Sequence, residues 1–194
     1  MSIIDIESLG YSVYEKCSIK SANVFFNKYL YSRTIASLIY FIGVFLGIAS
    51  ILLSILSCFN FEEIMTNLGL AIFIFVPYTI IHEGIHLLCY VVFGGKNAGI
   101  GVERGTLYSY CNRHLLTGKQ YTLCALMPVA LTSIVCLFIY LFYNDFRGML
   151  GFFFVFQLYG AYLDVSICNY CNMNKGVFFY GDQDEGYLYF LKKQ

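Results

Sequence analysis

The chain has 194 residues, 59% of them hydrophobic, 19% aromatic and 12% charged, with a mean hydropathy of +0.67. Soluble domains carry about 25% charged residues, so this composition argues against an ordinary soluble domain and for a protein embedded in a lipid bilayer. Basic and acidic side chains number twelve each, the formal net charge is zero and no basic cluster appears, which removes nucleic acid from the expected partners.

Residues 1–33 hold Asp5, Glu7, Glu15, Lys16, Lys20, Lys28 and Arg33. They are too polar for a cleaved signal peptide, whose apolar run begins earlier. Phe25, Phe26, Tyr29 and Leu30 beside Lys28 and Arg33 suggest a helix lying in the membrane interface; a loosely ordered tail is the other reading. Charge-free windows then locate the membrane spans, because about 20 apolar residues cross a bilayer. Residues 34–58 and 120–144 carry no charge, the 64–81 window continues as an apolar run to Phe93, and 148–174 contains one charged residue, Asp164. Four transmembrane helices are expected, near 34–58, 66–93, 121–143 and 148–171.

Between the second and third, "NAGIGVERGTLYSYC" (97–111) alternates and is rich in Gly, Tyr and β-formers, so it reads as one or two short strands at the membrane surface. The tail "VFFYGDQDEGYLYF" (177–190) reads as a second hairpin, turning between Gly181 and Gly186. The fold class expected is an all-α membrane protein: four transmembrane helices, an N-terminal interfacial helix and short cytoplasmic β-hairpins. No internal repeat or linker divides residues 1–194, so one domain is expected, with a 1–33 N-terminal segment, a 34–171 membrane core and a 172–194 tail.

Lys and Arg in the connections set the orientation. Four lie in 1–33, none in 59–65, four in 94–119 (Lys96, Arg104, Arg113, Lys119), one in 144–147 and three in the tail (Lys175, Lys192, Lys193). This alternation puts both termini and the 94–119 loop in the cytoplasm. Of the eight cysteines, Cys58, Cys89, Cys124, Cys136 and Cys168 fall inside apolar runs, where Cys acts as a small apolar side chain, and no required disulfide is expected.

The segment "IIHEGIHLLCY" (80–90) places His82, Glu83 and His86 in a run otherwise as apolar as a span. Ionisable groups there are costly unless partnered. On a helix, His82 and His86 lie about 40° apart and one turn along, so both imidazoles reach one ion, while Glu83 points about 100° away, suited to a water. This is the H-E-x-x-H pattern, two zinc-binding histidines with a glutamate general base. Hydrogen-bonded core histidines are the plainer alternative.

A catalytic zinc needs a third protein ligand and an open position. Asp164 is the one other charged residue within a span. It sits about sixteen residues into the fourth span as His82 does into the second, and both run in the same direction, so the two share a depth. A hydrogen bond to Tyr or Ser is the alternative for it. Gln157, seven residues earlier on the same face, is a candidate oxyanion donor or a packing residue. Pro77 removes one helical hydrogen bond and either kinks the second span beside the site or is merely tolerated. His114 with Cys111, the C-x-x-C of Cys168 and Cys171, and the acidic "DQDE" turn (182–185) receive no site role.

With these residues in place, the chain resembles intramembrane zinc metallopeptidases of the site-2 protease type, and more closely a short bacterial group of zincin-type membrane peptidases of unknown function. The resemblance runs from "HEGIHLLCYVVFG" through "GTLYSYCNRHLLTGKQYTLCALMP" to the Asp-bearing fourth span and the strand-rich tail, over about residues 70–190. It implies Zn2+ held by His82, His86 and Asp164, Glu83 as catalytic base, a membrane protein or peptide as substrate, and a bacterial cytoplasmic membrane as location. One difference stands out: the site-2 aspartate precedes a glycine in a longer Asn- and Pro-containing motif, whereas Asp164 stands in "GAYLDVS". Two further readings are a membrane protein with a structural or partner-binding zinc, and a transporter using the His/Asp cluster as an ion path, for which the chain lacks the expected repeat symmetry.

Overall fold

The computed structural model describes residues 3–57, 60–103, 105–143 and 146–194; Cys58, Arg104 and the first two residues of the 144–147 turn lie outside them. The N-terminal segment folds as α1 (Ile3–Ser8), β1 (Tyr11–Ser18), a 3-10 turn (Ile19–Ser21) and α2 (Ala22–Asn27). The expected interfacial helix is thus one short element, and the strand before it was not foreseen.

Three long helices follow from the apolar windows: α3 (Ile35–Ser57), α4 (Phe61–Val92) and α5 (Gly118–Phe142). All three are long and apolar enough to cross a membrane. Their boundaries have local causes. Asn60 caps α4, its side chain accepting from the Glu62 N–H at 3.0 Å, with Glu62 and Glu63 favourably placed at the positive end of the helix. Gly94, at φ +88°, turns the chain out of α4 in a conformation that favours glycine. Thr117 and Gln120 form a reciprocal capping box at the start of α5. Exposed apolar side chains such as Ile39, Phe45, Leu52, Phe73 and Leu137 cover the outer faces of these helices, a surface suited to lipid.

Between α4 and α5 lie β2 (Ala98–Glu103), β3 (Thr106–Cys111) and β4 (Leu115–Thr117). After α5 come α6 (Arg147–Gly160), α7 (Tyr162–Met173), β5 (Phe178–Asp182) and β6 (Tyr187–Lys193). The expected all-α architecture with four transmembrane helices is therefore corrected twice. First, the segment expected to form one fourth helix is two, bent by 48° at a break around Ala161. Ala161, fully buried, closes α6 there, its N–H donating to the carbonyls of Gln157 at 3.0 Å and Leu158 at 3.2 Å. Second, β1, β6, β5 and β4 form a four-stranded antiparallel sheet in that order, and β2–β3 a separate hairpin.

The sheet joins the two ends of the chain: Tyr11 pairs with Lys193 and Ser18 with Tyr187, with a bulge between Val13 and Glu15. Its strands precede α3, follow α4, precede α5 and follow α7, so it caps one end of the helices. An aromatic core glues sheet to helices. Phe179 and Phe190 from the strands meet Tyr170 of α7, Phe26 of α2 and Tyr121 of α5, with the Tyr121–Phe179 rings stacked at 4.1 Å. Deeper among the helices, Ala71, Tyr78, Cys136, Met149, Leu150 and Phe153 form a second cluster between α4, α5 and α6. Helix α3 closes on α6 through glycines: a Cβ on Gly47 would lie 2.8 Å from Val155 Cγ2, and one on Gly43 3.1 Å from Leu158 Cδ1.

Candidate metal centre

His82 and His86 stand one turn apart on the inward face of α4, both buried. Their Nε2 atoms are 3.1 Å apart. The remaining ring nitrogens are held separately. His86 Nδ1 lies 2.8 Å from the backbone oxygen of Cys124 on α5. A carbonyl only accepts, so Nδ1 carries a proton, and Nε2 is the nitrogen turned toward His82 and Asp164. His82 Nδ1 lies 3.0 Å from the hydroxyl of Tyr78, one turn earlier on α4.

Asp164 meets this pair from α7. Its Oδ2 lies 3.2 Å from His82 Nε2 and its Oδ1 3.4 Å from His86 Nε2. The helix break explains its placement. Because α7 restarts at Tyr162, Asp164 falls in a first helical turn, where unpaired N–H groups and the helix dipole favour a carboxylate. His82, His86 and Asp164 thus form a group whose ligand atoms all lie within 4.8 Å of one another and which can hold a metal ion.

The donor set fits zinc. N and O ligands at about 2.0–2.1 Å in a tetrahedral arrangement stand about 3.3 Å apart; here the two Nε2 atoms are 3.1 Å apart, and each faces its own Asp164 oxygen, at 3.2 Å (Oδ2) and 3.4 Å (Oδ1). The chemistry agrees, since lone pairs of imidazole and carboxylate pointed at one another from such distances repel unless a cation or proton lies between them. Side-chain exposures of 11%, 7% and 13% leave each ligand one face toward a cavity of about 640 Å³.

Glu83, half-buried, lines the same cavity. Gln157 also lines it, fully buried on α6. Its Nε2 donates to Val129 O and Ser133 Oγ, both at 3.2 Å, which ties α6 to α5. Its Oε1 has no hydrogen-bond partner among the described residues. Both amide hydrogens are committed, so the donor role toward an oxyanion requires one of them to be released.

Other residues singled out in the sequence lie elsewhere. His114 Nε2 donates to the Phe93 carbonyl at 3.0 Å and so secures the C-terminal end of α4. Cys168 and Cys171 are buried in α7. The acidic turn is ion-paired, Arg113 meeting Asp182 at 3.3 Å and Asp184 at 2.9 Å. Two partners of the centre were missed. Tyr78 was open to discovery, four residues before His82 and therefore on its face. The Cys124 carbonyl had no side-chain signal.

Residues 73–177, more than half of the chain, match the family model described as "Putative zincin peptidase". The chain belongs to that family. No curated protein and no solved structure matches it. The matched region contains His82, Glu83, His86, Gln157 and Asp164, and a zincin peptidase is a zinc enzyme by class, so zinc is the metal this group is suited to hold.

Proposed function

We propose that the protein is an intramembrane zinc metallopeptidase that hydrolyses peptide bonds of membrane-associated substrates. The observation that carries this reading is a metal-capable triad of His82, His86 and Asp164 opening onto a cavity that Glu83 also lines. Zinc held there would lower the pKa of its bound water toward about 7 and polarise the scissile carbonyl. Glu83 removes the proton from the attacking water and returns it to the leaving amine. His82 and His86 present Nε2 because their Nδ1 atoms are occupied by Tyr78 and Cys124 O. Asp164 brings a negative charge from a different helix, so the site assembles only when α7 packs on α4 and α5.

Substrate must arrive extended, because a helical carbonyl is sheathed by its own hydrogen bonds. Every residue of β3, from Thr106 to Cys111, borders the cavity, whereas none of residues 98–102 of β2 does. Successive strand residues point to opposite faces, so a strand that contributes all its residues presents its edge. Strand β3 pairs only with β2 among the described residues, and a peptide can add to the free edge as a further strand. The Lys and Arg distribution supports a cytoplasmic position for the sheet and both termini; a Gly186→Cys variant should then react with impermeant maleimide in inverted vesicles and not in intact cells.

The test of the activity is Glu83→Gln in a reconstituted cleavage assay. Loss of general-base catalysis should slow cleavage by about 10²–10⁴ while zinc content stays at the wild-type level. Cleavage at the wild-type rate by this variant refutes the assignment of Glu83.

A further inference from the structure

Both prolines of the chain lie inside membrane helices, Pro77 in α4 and Pro128 in α5. A proline supplies no N–H to the carbonyl four residues earlier, and its ring crowds that carbonyl out of line. For Pro128 that carbonyl belongs to Cys124, the oxygen that lies 2.8 Å from His86 Nδ1. Pro128 is itself fully buried, and Cys124 is 1% exposed, so no solvent is available to satisfy the orphaned oxygen.

We propose that Pro128 is a positioning residue of the metal centre: by leaving the Cys124 carbonyl without a helical donor, it creates a dedicated acceptor for His86 Nδ1–H. An ordinary residue at 128 would offer its own N–H to the same oxygen. His86 would then share the acceptor, and its other tautomer, with the proton on Nε2, would become accessible. That tautomer cannot ligate through Nε2.

The neighbouring turn of α5 supports the same reading. Thr132 Oγ1 donates to the Pro128 carbonyl at 2.7 Å, and its hydroxyl adjoins that of Tyr78, which holds His82 Nδ1. Positions 124, 128 and 132 recur at one-turn intervals on α5, opposite 78, 82 and 86 on α4. One stripe of α5 therefore faces the Nδ1 side of both imidazoles, while Asp164 faces their Nε2 side. Among the described residues no side chain donates to the carbonyl that Pro77 frees, that of Phe73, a residue 75% exposed.

The inference depends on the zinc-peptidase reading for its purpose and not for its geometry, and two measurements keep them apart. In zinc-free protein labelled with 15N-histidine, the chain's three histidines give three rings, and the His86 signal is identified by its loss in His86→Gln. A proton on Nδ1 is expected; a ring that carries its proton on Nε2 alone, with Nδ1 bare, overturns the proposal, whether or not the protein binds zinc. For zinc itself, chelator competition should show Pro128→Ala weakening affinity by about 10–100-fold, the usual effect of losing an outer hydrogen-bond partner of a ligand. Pro128→lactic acid, which introduces an ester with neither N–H nor ring, should retain the wild-type affinity. Equal affinity in Pro128→Ala and wild type, or equal loss in the alanine and ester variants, overturns it. Should Pro128→Ala fail to fold, the wild-type tautomer decides alone.

Discussion

Tyr78→Phe isolates one hydrogen bond of the metal centre. The phenol lies 3.0 Å from His82 Nδ1 and is placed there by helical spacing alone. Removing the hydroxyl leaves the ring packing intact: the aromatic face still meets Phe153 at 5.1 Å, Phe75 at 5.7 Å and the His82 imidazole at 5.6 Å between centroids. What changes is that a buried Nδ1–H loses its acceptor, at a cost of about 1–3 kcal/mol. In the zinc-free ring the hydroxyl serves either tautomer, accepting from Nδ1–H or donating to a bare Nδ1, but zinc on Nε2 fixes the proton on Nδ1, so zinc binding feels the loss of the acceptor. At about 1.4 kcal/mol per factor of ten, zinc should bind about 5- to 100-fold more weakly. The assay is competition against a chelator of known affinity in detergent micelles, with thermal unfolding of the zinc-free protein measured in parallel. An unchanged zinc affinity in a variant that unfolds like the wild type would refute the claim that Tyr78 supports the zinc-ligated His82 ring by accepting from its Nδ1–H.

Two further outcomes are expected. Gly47→Leu should loosen α3 from α6, since even a Cβ would sit 2.8 Å from Val155 Cγ2; overpacking of this kind costs about 1–3 kcal/mol, readable as a lowered denaturation midpoint in mixed micelles. Burial pushes the Cys111 thiol up to about 11 from 9.0, which lowers its thiolate fraction at pH 8 by about 100-fold and should slow iodoacetamide alkylation in proportion. The sign follows from the raised value: the folded thiol resists deprotonation, reactivity climbs only as the pH approaches about 11, and the associated stability is present below pH 9 and lost above it. Alkylation of Cys111 at the rate of free cysteine at pH 8 would contradict its burial.

The parts of this molecule that were legible in the sequence are those with local causes. The three long helices follow from charge-free windows, and the β2–β3 and β5–β6 hairpins from alternation broken by Gly105 and Gly186, both at positive φ. The spacing of His82 and His86 pointed to two of the three members of the metal-capable group, and the cost of a lone carboxylate within a span pointed to Asp164. What escaped depends on contacts distant along the chain. Strand β1 exists because "YSVYEKCS" pairs with β6 at the far end of the chain, and nothing in its own mixed pattern announces a partner. The bend between α6 and α7 reads in sequence as an uninterrupted apolar run, because Gly160 and Ala161 permit a break without demanding one. The acceptor for His86 is a backbone atom, and only the packing of α5 against α4 reveals it.

Metal stoichiometry across α4 and α7 tests the core of this interpretation most directly. Purified protein, exchanged free of adventitious metal and reloaded, should bind one zinc per chain with displacement by chelator, and Asp164→Asn and His82→Ala should each abolish tight binding while the four-stranded sheet and the helices remain folded. Full zinc occupancy in Asp164→Asn at the wild-type affinity would contradict a centre shared between the two helices.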